Sequence, residues 1–261
     1  MAGRYSGISP YSYVTNNPVK RIDPDGRDVI FDITRNLQGE ITGVSVRATV
    51  YITGSEANER RAAELTKAAA KEFKSGEVNG VSVSFNVTFQ YVKDIQKSDL
   101  QANKGQNLLT FDKTPESKEK RSFVTTDRKD ESGNTVGGRY FGTIYSSGED
   151  NEAVLHETGH LLGLEDQYLD IVMAFQHLDP NALTDYAKGY ENDLMGGGSK
   201  FNPGYRQAFL NVGATVSDMF LIAPSFNGKT FESHIPYSGP VNENHTERTQ
   251  YNWPPDSPEQ Y

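Results

Sequence analysis

The chain has 261 residues, enough for one large domain or two small ones, and carries 35 Asp and Glu against 26 Lys and Arg, a net charge of −9. That acidic balance, with no basic cluster interleaved with aromatics, argues against a nucleic-acid partner. There is no Cys, so disulfides and thiolate metal sites are excluded, and any metal must be held by His, carboxylates or backbone. No apolar run reaches membrane-spanning length, and no signal peptide is visible.

The first stretch holds two turn signals, Asn16-Asn17-Pro18 and Asp23-Pro24-Asp25-Gly26, with a short extended piece between them. Together with Tyr11-Ser12-Tyr13-Val14, these words resemble the closing segment of Rhs/YD-repeat core regions, over roughly residues 5–26. The resemblance implies that residues 1–27 are the end of an Rhs-type core or linker. It implies that the residues after Asp28 are the payload of a polymorphic toxin, secreted or delivered into a target cell as part of a larger bacterial protein. A cognate immunity protein would then be a partner.

Val29-Ile30-Phe31-Asp32-Ile33 predicts a strand. Val44, Val46, Ala48, Val50 and Ile52 alternate with polar residues, the period-two pattern of a half-buried strand. Residues 56–74 are rich in Ala, Glu, Lys and Arg and predict a helix capped by Ser55. Val81, Val83, Phe85, Val87, Phe89 and Tyr91 alternate again over a long strand, and residues 107–111 predict a shorter one. Residues 113–134 read as an excursion or lid with a short strand near 122–126. Residues 139–145 predict one more strand.

Residues 156–166 then spell H-E-x-x-H-x-x-G-x-x-D. On an α-helix, positions four apart share a face, so His156 and His160 point the same way and two neutral imidazoles can bind one zinc. Glu157 projects beside that face, where it can act as general base. Zinc lowers the pKa of water from about 16 to about 7, so a carboxylate suffices at neutral pH. Residues 146–150 offer N-cap candidates, and Val154, Leu155, Leu161 and Leu162 anchor the helix in a core. Gly163 can take a left-handed conformation and end the helix, and the returning chain lets Asp166 reach the metal as third protein ligand. Glu165, Asp170 and the more distant Glu191 are the other carboxylates to weigh as ligands.

This segment resembles the zinc-binding helix of metzincin-type metallopeptidases within the zincin group. Most metzincins have His where this chain has Asp166. The family's methionine turn is matched by Asn192-Asp193-Leu194-Met195-Gly196, with Met195 as its methionine. Several metzincins carry a Tyr two residues after that Met, but Gly197 stands there; Tyr190 and Tyr205 are the remaining candidates for its helping role. The resemblance implies an α+β fold: a mixed twisted sheet, an active-site helix, a second backing helix, and an irregular C-terminal subdomain. It also implies a substrate-binding edge strand, for which the strands near 122–126 and 139–145 are both candidates.

After Asp166, residues 181–190 and 203–212 predict short helices. His177 sits among apolar neighbours and reads as a packed or surface residue. The stretch 228–261, rich in Pro, Asn and Tyr and containing His234 and His245, reads as a C-terminal extension, either a β-addition or a loose tail. The catalytic domain thus spans 28–227. The expected activity is zinc-dependent endoproteolysis of a protein or peptide substrate. The alternatives are a zinc amidase acting on cell-wall peptides and a catalytically inactive binding domain.

Overall fold

A computed structural model describes residues 29–101, 104–117, 120–125, 139–148, 150–164, 166, 168–169, 185–186, 192–195, 198–219, 225–237 and 241. The Rhs-like segment, residues 126–138, the candidates Glu165, Asp170, Tyr190 and Glu191, and His177 and His245 lie outside these residues.

The fold is α+β, built on a mixed sheet. Strand β1 (Val29–Arg35) runs antiparallel to β2 (Ile41–Gly54). Helix α1 (Glu59–Glu72) follows, then the hairpin of β3 (Gly76–Val78) and β4 (Val81–Tyr91), with β4 parallel to β2. Strands β5 (Gln106–Phe111) and β7 (Phe141–Ile144) are parallel neighbours, and β6 (Phe123–Thr125) closes that side antiparallel to β7. Helix α2 (Asn151–Leu161) comes next. Two-residue strands β8 (Tyr168–Leu169) and β9 (Asp185–Tyr186) pair with each other, and α3 (Tyr205–Met219) precedes the hairpin of β10 (Ser225–Phe226) and β11 (Phe231–Tyr237).

Strand β2 organises the sheet because it is long enough to serve three partners. β4 takes one side along residues 43–52. β1 takes the first half of the other side, up to Arg47, and β5 takes the second half from Thr49. The alternating residues of β2 and β4 explain the layering. Val44, Val46, Ala48, Val50 and Ile52 face one way and are buried with Val83, Val87 and Phe89. Leu65 of α1, Phe73 at its end, Val154 and Leu161 of α2, and Phe209 of α3 join the same continuous core. Burial of one face sets this register, since a slip of one residue would turn every apolar side chain to solvent.

Three sequence expectations shift. The cap of α1 is Asn58, whose side chain accepts from Arg61 N–H at 2.9 Å, not Ser55. The Ser55 N–H instead donates to the Phe111 carbonyl at 2.8 Å, so that residue continues the β2–β5 pairing and the helix starts later. Within the helix predicted for 181–190, Asp185–Tyr186 is a strand, because its backbone pairs with β8 and a two-residue ladder needs no helical periodicity. The helix predicted from Pro203 begins at Tyr205 and runs to Met219, after a turn in which Asn202 Oδ1 accepts from Gly204 N–H at 2.9 Å.

Within the stretch set apart as 228–261, β11 lies against β1 over seven residue pairs. One cross-strand cluster marks that junction. Asp32 of β1 takes two hydrogen bonds from Arg47 of β2, both at 3.0 Å, and His234 of β11 lies 2.6 Å from its Oδ1. Partial burial pushes the Asp32 pKa up, but the bonds to Arg47 and His234 outweigh it and hold the carboxyl below its ordinary value. A depressed folded pKa means stability present above the unfolded value of about 3.9 and lost as pH falls through the folded one. Asp32→Asn is therefore expected to destabilise by up to about 1 kcal/mol at pH 7. Urea midpoints measured against pH check this: the gap between wild type and variant should close in acid, and a pH-independent gap would refute the ionic account.

Candidate metal centre

Helix α2 carries the motif, and its two ends are locally determined. Asp150 is the N-cap and accepts from Glu152 N–H at 2.8 Å, satisfying a donor the helix leaves open. Arg61 of α1 crosses to this end, donating to Asn151 Oδ1 at 2.6 Å and to the Gly148 carbonyl. The backing helix thus holds the start of the motif helix. At the other end Gly163 has φ +93°. Its N–H bonds to the His160 carbonyl and the Leu164 N–H to the Gly159 carbonyl, each at 3.0 Å, which is the Schellman arrangement. Glycine is needed there because a side chain would be strained at that φ.

The reversed chain brings Asp166 back over the helix face. Its Oδ1 lies 3.1 Å from Nε2 of His156 and 3.1 Å from Nε2 of His160. The two imidazole centroids are 4.9 Å apart, with ring planes at 88°. Among the described residues, these three form a group able to hold a metal ion, with their donor atoms all within 4.8 Å of one another.

Each imidazole is oriented from behind. His156 Nδ1 lies 2.7 Å from the Leu194 carbonyl, and His160 Nδ1 lies 2.8 Å from the Leu164 carbonyl. On His156 a proton on Nδ1 donates to the Leu194 carbonyl; Nε2 of both rings faces the Asp166 carboxylate, where a bound metal would take the place of the Nε2 proton. Arg139 Nη1 also stands 2.7 Å from His160 Nδ1; a guanidinium only donates, so that nitrogen serves either the Leu164 carbonyl as donor or Arg139 as acceptor. Burial pulls the His156 pKa down, but the bond to Asp166 and the charge of Glu157 outweigh it and raise the net value. Burial likewise opposes ionisation of Asp166, yet its hydrogen bonds to both histidines hold it far below the ordinary carboxylate range.

Glu157 is buried, and its Oε2 has no hydrogen-bond partner among the described residues. Burial pushes its pKa up, while the two imidazoles and Arg139 pull it back. Leaving a buried carboxylate oxygen unpaired costs about 1–3 kcal/mol or more, so stability does not explain the position. Glu157 is one of the residues around a cleft of about 480 Å³, with Arg139, His156, His160, Asp166 and, from β6, Phe123 and Val124. Of the two candidate edge strands, β7 is enclosed between β5 and β6, and β6 is the edge among the described residues.

Met195 is fully buried against α2. A Cβ placed on Gly159 would come 2.3 Å from its sulfur, so the glycine between the two histidines is what admits the methionine. Gly159→Ala gains roughly 1 kcal/mol of helix propensity but forces overpacking worth roughly 1–3 kcal/mol. A net loss of about 1 kcal/mol is expected in thermal or urea unfolding; a stabilised variant would show that Met195 moves aside freely.

Tyr205, a candidate for the helping role at the metal, is placed elsewhere. It is buried, and its hydroxyl donates to Asp193 Oδ1 at 2.5 Å. As the first residue of α3 it packs beneath the turn, not in the cleft. Sequence reasoning missed Asp193, Arg139 and the two orienting carbonyls. Only Asp193 had a local signal, an Asp two residues before Met195 in a glycine-rich turn, where its side chain accepts from Met195 N–H at 2.9 Å.

The fold and the site define an α+β protein with a His/His/carboxylate group suited to a metal ion. The chain matches no protein-family model, no curated protein and no solved structure.

Proposed function

We propose that this chain is a zinc-dependent metalloendopeptidase of the metzincin-like zincin kind, acting as the effector domain of a polymorphic toxin. The observation that carries the reading is one juxtaposition. Asp166 Oδ1 meets both histidine Nε2 atoms at 3.1 Å, and the neighbouring Glu157, which lines the same cleft, keeps a buried oxygen with no partner among the described residues. Two imidazoles and one carboxylate form a donor set that suits zinc and leaves a fourth position for the reaction. Zinc, when bound, supplies Lewis-acid polarisation of the scissile carbonyl and acidifies water.

The chain's own residues do the rest. Glu157 takes the proton from the attacking water and returns it to the leaving amine, and its raised pKa suits both tasks. The Leu194 carbonyl holds His156 in the ligating tautomer, and the Leu164 carbonyl lies against Nδ1 of His160. The edge of β6 offers backbone groups to an extended peptide, giving affinity without demanding one sequence. The mixed sheet carrying α1 and α2 supports this reading. The Rhs-like words of residues 5–26 support delivery as the end of a larger protein, with an immunity protein as its natural partner.

Metal analysis together with cleavage profiling tests this. The wild type should hold one zinc per chain and His160→Ala should hold almost none. A target-cell proteome treated with the wild type should show new peptide N-termini. A metal-free wild type refutes the zinc site. Cleavage confined to peptidoglycan peptides would make the protein an amidase.

A further inference from the structure

The turn that carries Met195 is also the turn that orients a ligand, and it is held from below. His156 Nδ1 lies 2.7 Å from the Leu194 carbonyl. The residue before Leu194 is Asp193, buried at 3 % exposure. Asp193 Oδ1 accepts the Met195 N–H at 2.9 Å, spanning Leu194, and accepts the Tyr205 hydroxyl at 2.5 Å. The Leu194 N–H is itself tied to the Lys200 carbonyl at 2.8 Å, and the Gly198 N–H to the Asp193 carbonyl at 2.9 Å. Tyr205 is 1 % exposed and packs on Phe201 with centroids 5.1 Å apart. A continuous chain of contacts thus runs from the first turn of α3 through a buried carboxylate and one peptide carbonyl to a histidine of the metal group.

Core packing alone does not account for this chain of contacts. A buried phenol packs as well when it is a phenylalanine, and a buried aspartate is costly unless its bonds serve a purpose. Its second oxygen, Oδ2, has no partner among the described residues. What Asp193 does with its paired oxygen is fix the peptide plane of Leu194, and that plane sets the direction in which His156 points. Carbonyls and carboxylates behind a ligating imidazole commonly govern metal affinity.

We propose that Tyr205, acting through Asp193, is a positioning residue of the metal centre: its hydroxyl sets the Leu194 carbonyl that orients His156. This rests on the reading of His156, His160 and Asp166 as zinc ligands.

The test is zinc affinity by chelator competition on the full chain, with circular dichroism and thermal unfolding of each variant. Tyr205→Phe keeps the ring and removes the hydroxyl, and it should weaken zinc binding by about 10-fold or more. Asp193→Ala should weaken it at least as much. The double variant should be no weaker than Asp193→Ala alone, because the two residues act in series. Asp193→Asn keeps an acceptor oxygen and should recover most of the affinity. A Tyr205→Phe affinity within about twofold of wild type, whatever its melting temperature, overturns the proposal, as do fully additive losses in the double variant. If Tyr205→Phe fails to fold, the contrast between Asp193→Asn and Asp193→Ala decides: equal affinities overturn the proposal. A wild type that binds no zinc refutes the metal reading itself, an outcome distinct from a zinc-loaded wild type indifferent to Tyr205.

Discussion

Glu157→Gln is expected to lower peptide cleavage by about 100- to 10,000-fold, the range a general base contributes, while zinc content and fold stay at wild-type levels. The physical grounds are its placement. Glu157 follows a metal-group histidine on α2 but stands outside the group of His156, His160 and Asp166, so its loss removes no ligand. Its Oε2 is buried and unpartnered among the described residues, so an amide of the same shape breaks no bond at that atom. Burial disfavours its charge, so the neutral side chain is expected to leave stability unchanged or slightly raised. Three measurements are needed: steady-state cleavage of a peptide identified by profiling, bound zinc per chain, and thermal unfolding. Cleavage retained above roughly a tenth of wild type, with zinc still bound, would remove Glu157 from the mechanism.

The second large effect concerns Asp166. Asp166→Ala is expected to weaken zinc binding by more than about 100-fold, beyond the roughly 10- to 100-fold typical of losing a group behind a ligand. Asp166 contacts both histidine Nε2 atoms, and its carboxyl is ionised well below neutral pH by those same contacts. With it gone, two imidazoles remain, one ligand short of a catalytic zinc site. Metal analysis after dialysis against a weak chelator reads the result. Full occupancy in Asp166→Ala would assign the third ligand to another group. Asp166→Asn separates charge from geometry, since it keeps an oxygen donor but removes the negative charge. An intermediate affinity is expected.

Much of this fold was legible because its signals are local or periodic. The alternating residues of β2 and β4 predict strands since one face of each must be buried, and each appears within a few residues of its predicted place. The metal group was legible for a similar reason: His156, His160, Gly163 and Asp166 lie within one helix and the turn that ends it. Where local signals competed with distant partners, the partners decided. Ser55 would cap a helix well, but the Phe111 carbonyl takes its N–H. Tyr186 sits in a helix-compatible stretch, but pairing with Tyr168 makes it a strand.

What the sequence determined by itself is therefore the local placement of the groups able to hold a metal. A pair of imidazoles one turn apart, a carboxylate beside them and a glycine that turns the chain need only the backbone geometry of some eleven consecutive residues, and that geometry is the same wherever the helix lies. What only the tertiary structure decided is the setting of those groups. It put the Leu194 carbonyl behind His156, Arg61 at the start of α2, and Tyr205 beneath Asp193 instead of in the cleft. It also enclosed β7 and left β6 at the edge among the described residues. These contacts join residues far apart in the chain, and their partners are chosen by how the whole sheet and its helices fill one core, which no short stretch of chain encodes.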